Sequence, residues 1–579
     1  MTHVARLHSF FSSGHVPPRR VWVTMTVLVL AACGVQADLL ERIVGSAIDK
    51  AVSNIVTLIL CFLNILTPMM WFLLKSNYSR RSKINLLLGV LSMVALGALM
   101  FRVERVSGDL VPQFIFRWSA SPDQLLSKAV AIPGTENSQA DSWTASDSDF
   151  PGFLGPLQDA SLDLFNLDPD WESHPPRLLW KHDIGAGWSA MATCGDHAVT
   201  LEQRGEEELV TCYSIATGNL EWSVAEQTRH VTVLGGVGPR STPTIRDGCV
   251  YSTGATGWLH AINGADGKVL WKKHILKELG TDPDAEAIAV AWGRAGSPLV
   301  TSTQVIVPGG GPAANLGKSD RFVSLISFDR TTGAERWRAG SEQISYASPS
   351  LVTLGGVDQV LFVCEATVGG FDPQDGRRLW NFPWPGHSNS NASCSQARVI
   401  SPTKVFLSKG YGAGATVFDV AQSSDGEWSA HEQWNDKSVL RTKFTNVVLY
   451  QEAAFGLSDG ILECVRISDG KRLWKGGRYG QGQVLRVGAW LLVVAESGEV
   501  VLVETSQKGH RPRGRFQAVE GQTWNNLCLV GNRLLVRNAE EVACWELSFE
   551  SSSDVKDIPA VDNPPQERGD QTTEGLNNS

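Results

Sequence analysis

Asp266-Gly267-Lys268-Val269-Leu270-Trp271 follows a strand-like run and opens another, with a turn glycine four positions ahead of a tryptophan. The same offset recurs in Thr217-Gly218-Asn219-Leu220-Glu221-Trp222, Thr332-Gly333-Ala334-Glu335-Arg336-Trp337, Asp375-Gly376-Arg377-Arg378-Leu379-Trp380 and Asp469-Gly470-Lys471-Arg472-Leu473-Trp474. One copy would mean little, but five copies of one offset mean a repeat. Asp-Gly and Thr-Gly supply the positive φ of a tight strand-to-strand turn. The indole then sits on the following strand. A small sheet cannot bury such a ring alone, so its neighbours must stack on it.

Around the opening stretch a whole unit is legible. Residues 241–248, 249–254, 258–262 and 268–273 read as four short strands, with Gly248, Gly257 and Asp266-Gly267 at or near the breaks. Four antiparallel strands per repeat make a propeller blade. No 3.6-residue apolar period supports a helical solenoid, and the repeat disfavours a sandwich. Trp180, Trp222, Trp271, Trp337, Trp380, a degenerate Trp434, Trp474 and finally Phe516 mark successive units. Residues 517–547 supply about three further strands. The strand around Trp180 has no blade before it, so it is expected to complete the last sheet and remove the open edges. The count is eight blades of four antiparallel strands over residues 150–548, with seven if a degenerate unit is miscounted.

Three apolar runs precede this array. Residues 55–74 and 84–101 carry no charge and are long enough to cross a hydrocarbon core of ~30 Å; residues 21–37 are uncharged but shorter and more polar. Arg19 and Arg20 precede the first run, and Lys75, Arg80, Arg81 and Lys83 separate the other two without an acidic residue. Positive-inside bias then places residues 1–20 in the cytoplasm and everything after the third run on the far side, the periplasm of a two-membrane bacterium. Leu30-Ala31-Ala32-Cys33 also reads as a lipoprotein box, a minor alternative that leaves the compartment unchanged. Residues 102–149 read as a flexible linker, on the Ser-, Ala- and Asp-rich composition of residues 119–150, and residues 549–579 as a disordered acidic tail.

The net charge of −9 argues against nucleic acid, which needs a basic surface. The ten cysteines are scattered singly in apolar runs and read as small buried hydrophobes. Neither a His-Glu-x-x-His motif nor a G-x-S-x-G turn is present. Residues 311–319 imitate a phosphate loop, but with five residues between the glycines and a proline among them; a loop between strands is the reading.

The units resemble PQQ-like repeats, the propeller family of quinoprotein alcohol dehydrogenases and of the Bam-complex outer-membrane assembly lipoprotein. The motifs that carry the resemblance are Phe150-Pro151-Gly152-Phe153-Leu154-Gly155-Pro156, Gly238-Pro239-Arg240-Ser241-Thr242-Pro243-Thr244, Gly296-Ser297-Pro298, Tyr346-Ala347-Ser348-Pro349, Tyr411-Gly412-Ala413-Gly414 and residues 535–541. Similar proteins also carry membrane helices ahead of a segment of the type Gly108-Asp109…Phe116-Arg117-Trp118. The resemblance implies either an envelope binding scaffold or, as the alternative, a membrane-bound quinoprotein dehydrogenase oxidising an alcohol or sugar with PQQ and calcium. The enzyme reading would need calcium ligands, a catalytic aspartate and, in many relatives, a Cys-Cys disulfide. No such set can be carried over to this chain, so no catalytic, cofactor-binding or metal-binding residues are assigned and no cofactor is required.

Inner strands of a propeller begin around a central funnel. Aligning the repeats places Trp188, Arg240, Arg294, Tyr346, Asn391, Lys443, Gln483 and Trp524 at those starts, where aromatic and guanidinium groups would suit a peptide, sugar or anion. The expected partner is an envelope protein. A purely structural spacer is the third reading.

Overall fold

A computed structural model of the chain describes residues 14–37, 39, 50–129, 143–163, 166–311 and 322–549. The acidic tail after residue 549, residues 130–142 of the expected linker and residues 312–319 of the phosphate-loop imitation lie outside them.

Eight sheets of four antiparallel strands follow one another, seven of them running from an inner to an outer strand in chain order. Blade 1 runs from Ala192–Cys194 to Leu220–Gln227 and blade 2 from Thr244–Arg246 to Val269–His274. Blade 3 opens at Leu299–Val300, blade 4 at Ser350–Leu354, blade 5 at Arg398–Ser401 and blade 6 at Val448–Tyr450. Blade 7 opens at Gln483–Val487. Blade 8 has Cys528–Val530, Arg533–Arg537 and Glu541–Glu546 from the end of the array, and its outer strand is Arg177–Asp183 from the start. Trp180 pairs with Cys544 across that closure. The eight-blade count and the closing strand are therefore as the repeat predicts.

The repeated glycine has two jobs, of which the turn is one. Gly218, Gly267, Gly333, Gly376 and Gly470 all have φ between 68° and 75°. A methyl group on each would also lie 2.6–2.9 Å from the ring of Trp180, Trp222, Trp271, Trp337 and Trp434 respectively, the tryptophan of the preceding blade. The indole of one blade thus lies on the bare backbone of the next. Its N–H reaches over as well: Trp180 donates to the Ile215 carbonyl at 2.8 Å, Trp222 to Gly264 at 2.7 Å, Trp271 to Arg330 at 2.9 Å and Trp474 to Ser506 at 2.7 Å. Trp337 donates instead to Gln304, which relays to the Pro373 carbonyl of the next blade.

A second set of bonds closes the ring near the axis. The residues just before each inner strand hand hydrogen bonds from blade to blade: Ala190 N–H to Thr242 Oγ1, Thr242 N–H to Ser297 Oγ, Ser297 N–H to Ser348 Oγ, Ser348 N–H to Gln396 Oε1 and Gln396 N–H to Asn446 Oδ1. Gln483 Nε2 donates to the carbonyls of Phe444 and Trp524, and Asn525 Nδ2 donates to the Ser189 carbonyl, which completes the circle. Buried donors need acceptors. That need explains the Ser/Thr-Pro motifs: the hydroxyl accepts a neighbour's amide, and proline is tolerated where a strand faces the channel as an edge.

Before the array, Arg19–Gln36, Lys50–Leu74 and Arg80–Met100 are helices, and the first two pack together. Lys50–Leu74 and Arg80–Met100 are long and apolar enough to cross a membrane. The third expected span, residues 21–37, forms its helix but is not in that group. The expected linker is partly folded. Phe101–Val106 and Pro112–Phe116 pair as a hairpin, and a short helix, Pro122–Leu125, follows. The hairpin strands pair with each other across the turn at 107–111, and the short helix is held to the propeller by Asp123 and Arg229.

Candidate functional site

Inner strands begin on one face of the ring, here called the mouth. The eight residues expected there divide by what their side chains do. Arg294 is fully buried; it binds Glu286 and the carbonyls of Pro308 and Gly309, so it fastens the loop before blade 3. Burial pushes the Glu286 carboxyl up, and the Arg294 guanidinium opposes that. Arg240 donates to the carbonyls of Gly235, Gly236 and Gly238, and burial lowers its pKa to about 10. Tyr346 accepts from the Trp292 amide and donates to the Ser388 carbonyl. Gln483 is part of the axial belt. Asn391 closes a one-residue bridge with His387 and is half-buried, while Lys443 is buried, its stem against Gly410.

Trp188 and Trp524 do come together. Their rings lie 4.7 Å apart, and Phe444 packs on Trp524 at 4.8 Å. Trp188 donates to the Gly235 carbonyl at 2.7 Å. On the other side of the Gly235 loop, Trp292 stacks on Tyr346 at 4.9 Å and approaches Tyr411 at 6.0 Å. Trp188, Trp292, Tyr411, Phe444 and Trp524 are all half-buried. The mouth is thus an aromatic arc with ring edges showing and polar groups turned inward. Trp292 and Phe444 sit within two residues of expected positions, Arg294 and Lys443. Repeat alignment marks the loop and not the ring, so it missed them.

Glu496, in the blade 7 hairpin beside the mouth, was not foreseen. Its carboxylate accepts from Gly108 N–H at 2.8 Å, Trp524 Nε1 at 3.1 Å and Gln481 N–H at 3.0 Å. Gly108 is the tip of the hairpin after the helices, so the chain docks its own turn at the mouth. Arg105 pairs with Glu540 and Asp123 with Arg229, which hold the rest of the segment. The cavity left between hairpin and mouth, lined in part by Glu104, Arg105 and Trp188, measures about 40 Å³.

The channel itself is crossed by residues 150–163. Phe150 and Thr193 exchange hydrogen bonds in blade 1, and Pro151 accepts from Ile245 in blade 2. Arg398 of blade 5 pairs with Asp159, and Ser161–Leu162 adds a parallel fifth strand to Gln483–Val487 of blade 7. Leu154, Gly155, Gln158 and Ala160 all have positive φ, which winds the stretch tightly. The Phe150–Pro156 motif is therefore an axial plug.

A tricyclic quinone with its calcium ion would need a slot of at least ~300 Å³ and cations facing it. The mouth cavity is far smaller. Arg240, Arg294, Arg398 and Arg486 each already bind carbonyls or carboxylates of the chain. The residues present do not fit that group. A separate cluster, His197, Cys212 and Glu221, brings three ligand-type atoms within 4.8 Å on adjacent strands of blade 1. It closes on itself: Glu221 Oε2 bonds His197 Nδ1 at 2.6 Å and accepts from Cys212 Sγ at 3.3 Å, beneath the stacked ring of Trp143.

The family model described as outer membrane protein assembly factor BamB matches residues 205–476, from the middle of blade 1 to blade 6. The motifs at 238–244, 296–298, 346–349 and 411–414 that carry the PQQ-like resemblance lie within that match. Among solved structures, BamB from Moraxella catarrhalis aligns at 16% identity and TM-score 0.46 over 65% of this chain and 99% of its own. A europium-containing methanol dehydrogenase aligns at 11% identity and TM-score 0.49, over 69% and 98%. Quinohemoprotein alcohol dehydrogenase from Comamonas testosteroni aligns at 12% identity and TM-score 0.47, over 71% and 82%. No curated protein matches the chain.

Proposed function

We propose that this chain is a membrane-anchored scaffold that holds an envelope protein at the mouth of its propeller, without a quinone cofactor. The observation that carries the reading is the aromatic arc of Trp188, Trp524, Phe444, Trp292 and Tyr411. Its half-buried rings are held by their mutual contacts and by the bonds of Trp188 to the Gly235 carbonyl and of Trp524 to Glu496. Rigid aromatic anchors lose little entropy on binding and dominate protein interfaces. The match of residues 205–476 to the BamB family model supports a binding role. The two apolar helices support an anchor. Their connector carries Lys75, Arg80, Arg81 and Lys83, so positive-inside bias puts that turn in the cytoplasm. Two crossings then return the chain to the outer side, which is the periplasm in a two-membrane cell, whatever the first helix does.

The test is capture from cross-linked, detergent-solubilised membranes. A Trp188→Ala/Trp524→Ala variant and a separate Trp292→Ala variant are expected to lose at least fivefold of an envelope partner. Lys508→Ala, on a turn at the opposite face, is expected to lose none. Equal recovery from all four proteins contradicts the reading.

A further inference from the structure

We infer that the mouth face of the propeller rests on the bilayer its helices enter, seated through the aromatic base of the hairpin and the ribbon between blades 1 and 2. This rests on the membrane reading above and adds an orientation and a lipid-contacting surface to it.

Four observations converge. Helix Arg80–Met100 runs into strand Phe101–Val106 without a spacer residue, and the Arg117 side chain reaches back to the Ala98 carbonyl at 2.8 Å. The hairpin base therefore lies at the helix end. There, Phe101, Phe116 and Trp118 stack in series at 4.9 and 5.3 Å, and Trp118 is 68% exposed. A run of stacked aromatic rings where an apolar helix ends is the chemistry of the membrane–water interface. Arg102 and Arg117 beside it direct their guanidinium groups to the Ser119 and Ala98 carbonyls, and Arg105 pairs with Glu540.

The second surface is independent of the hairpin in sequence. Val231–Thr232 pairs with Gly236–Val237 in a ribbon that belongs to no blade, and that ribbon adjoins strand Phe101–Val106. It exposes Val233 at 63%, with Val231 and Leu234 beside it. Together with Phe114, these side chains give the mouth face an apolar rim beside the strand that continues helix Arg80–Met100. Finally, the hairpin is fixed to the propeller by Arg105–Glu540, Gly108–Glu496 and Gln522 to the Val106 carbonyl, and to helix Lys50–Leu74 by Asn54 to the Asp109 carbonyl. A propeller tied this way cannot turn its mouth from the bilayer.

The experiment uses the full chain in lipid nanodiscs, in a Cys33→Ala/Cys61→Ala background because those two thiols are exposed on the helices. An environment-sensitive fluorophore is placed by Val233→Cys or, on the opposite face, by Lys508→Cys. Nitroxide-labelled lipid is expected to quench the first at least twofold and to leave the second unchanged. Equal, weak quenching of both, with the protein retained in carbonate-washed membranes, overturns the orientation and leaves the anchor standing. Release of the protein by carbonate overturns the anchor, and the orientation with it.

Discussion

Glu208 shows how one side chain couples the blades to pH. Its carboxylate is buried between blades 1 and 2, accepting the Ala255 amide at 2.9 Å. Burial raises its pKa to about 7, partly opposed by that amide and by Arg240. A carboxyl that holds its proton more tightly when folded adds stability below its ordinary pKa of 4.5 and loses it as pH rises through 7. The displacement corresponds to about 3 kcal/mol as an order of magnitude. Glu208→Gln is therefore expected to raise the melting temperature at pH 8 and to flatten its fall between pH 5 and 8. An unchanged pH profile in thermal denaturation would contradict this. None of it was legible in the sequence, where Glu208 is one acid in the polar run Glu206-Glu207-Glu208. Only the partner blade, nearly fifty residues on, makes it buried. His197, Cys212 and Glu221 were hidden differently: they lie on three consecutive strands of one blade, and no spacing rule groups them.

At the scale of the element, the blade is held by an indole on a bare glycine. Gly333 has φ 68° and would place a methyl group 2.7 Å from Trp271. Gly333→Ala thus meets both a strained backbone and an overpacked contact, and is expected to cost about 2–4 kcal/mol in denaturant unfolding. Gly356 has φ 78° with open space around it, so Gly356→Ala is expected to cost less, from backbone strain alone. Equal losses would show that the turn, and not the ring, demands the glycine. The offset of glycine to tryptophan was readable because both lie in one repeat. The reason for the glycine was not, because the ring it touches belongs to the repeat before. The Ser/Thr-Pro motifs were likewise visible as a pattern, but their belt of hydrogen bonds appears only once the ring closes. The plug at 150–163 lacks any periodicity, since its partners are the propeller's inner strands, and the seat of the 101–116 hairpin on Glu496 and Glu540 lies hundreds of residues on.

For the whole molecule, closure into eight blades and the placement of helices before them were legible, because repetition and apolar length survive without tertiary context. The candidate face was legible only in part. Trp188 and Trp524 meet as the alignment of repeats implies, whereas Arg240, Arg294, Tyr346 and Gln483 spend their polar groups on the protein's own loops and belt. Sequence places a residue at a strand start without showing whether its side chain is already bonded. The chain's own hairpin at the mouth then links the ring to the apolar helices, and on the proposed reading it sets how the ring faces the bilayer. Electron cryomicroscopy of the full chain in a nanodisc tests that most directly. The expected map shows eight blades closed by strand Arg177–Asp183, with the mouth toward the disc and the 101–116 hairpin between them. Seven blades, an open ring, or a mouth turned away from the lipid would contradict it.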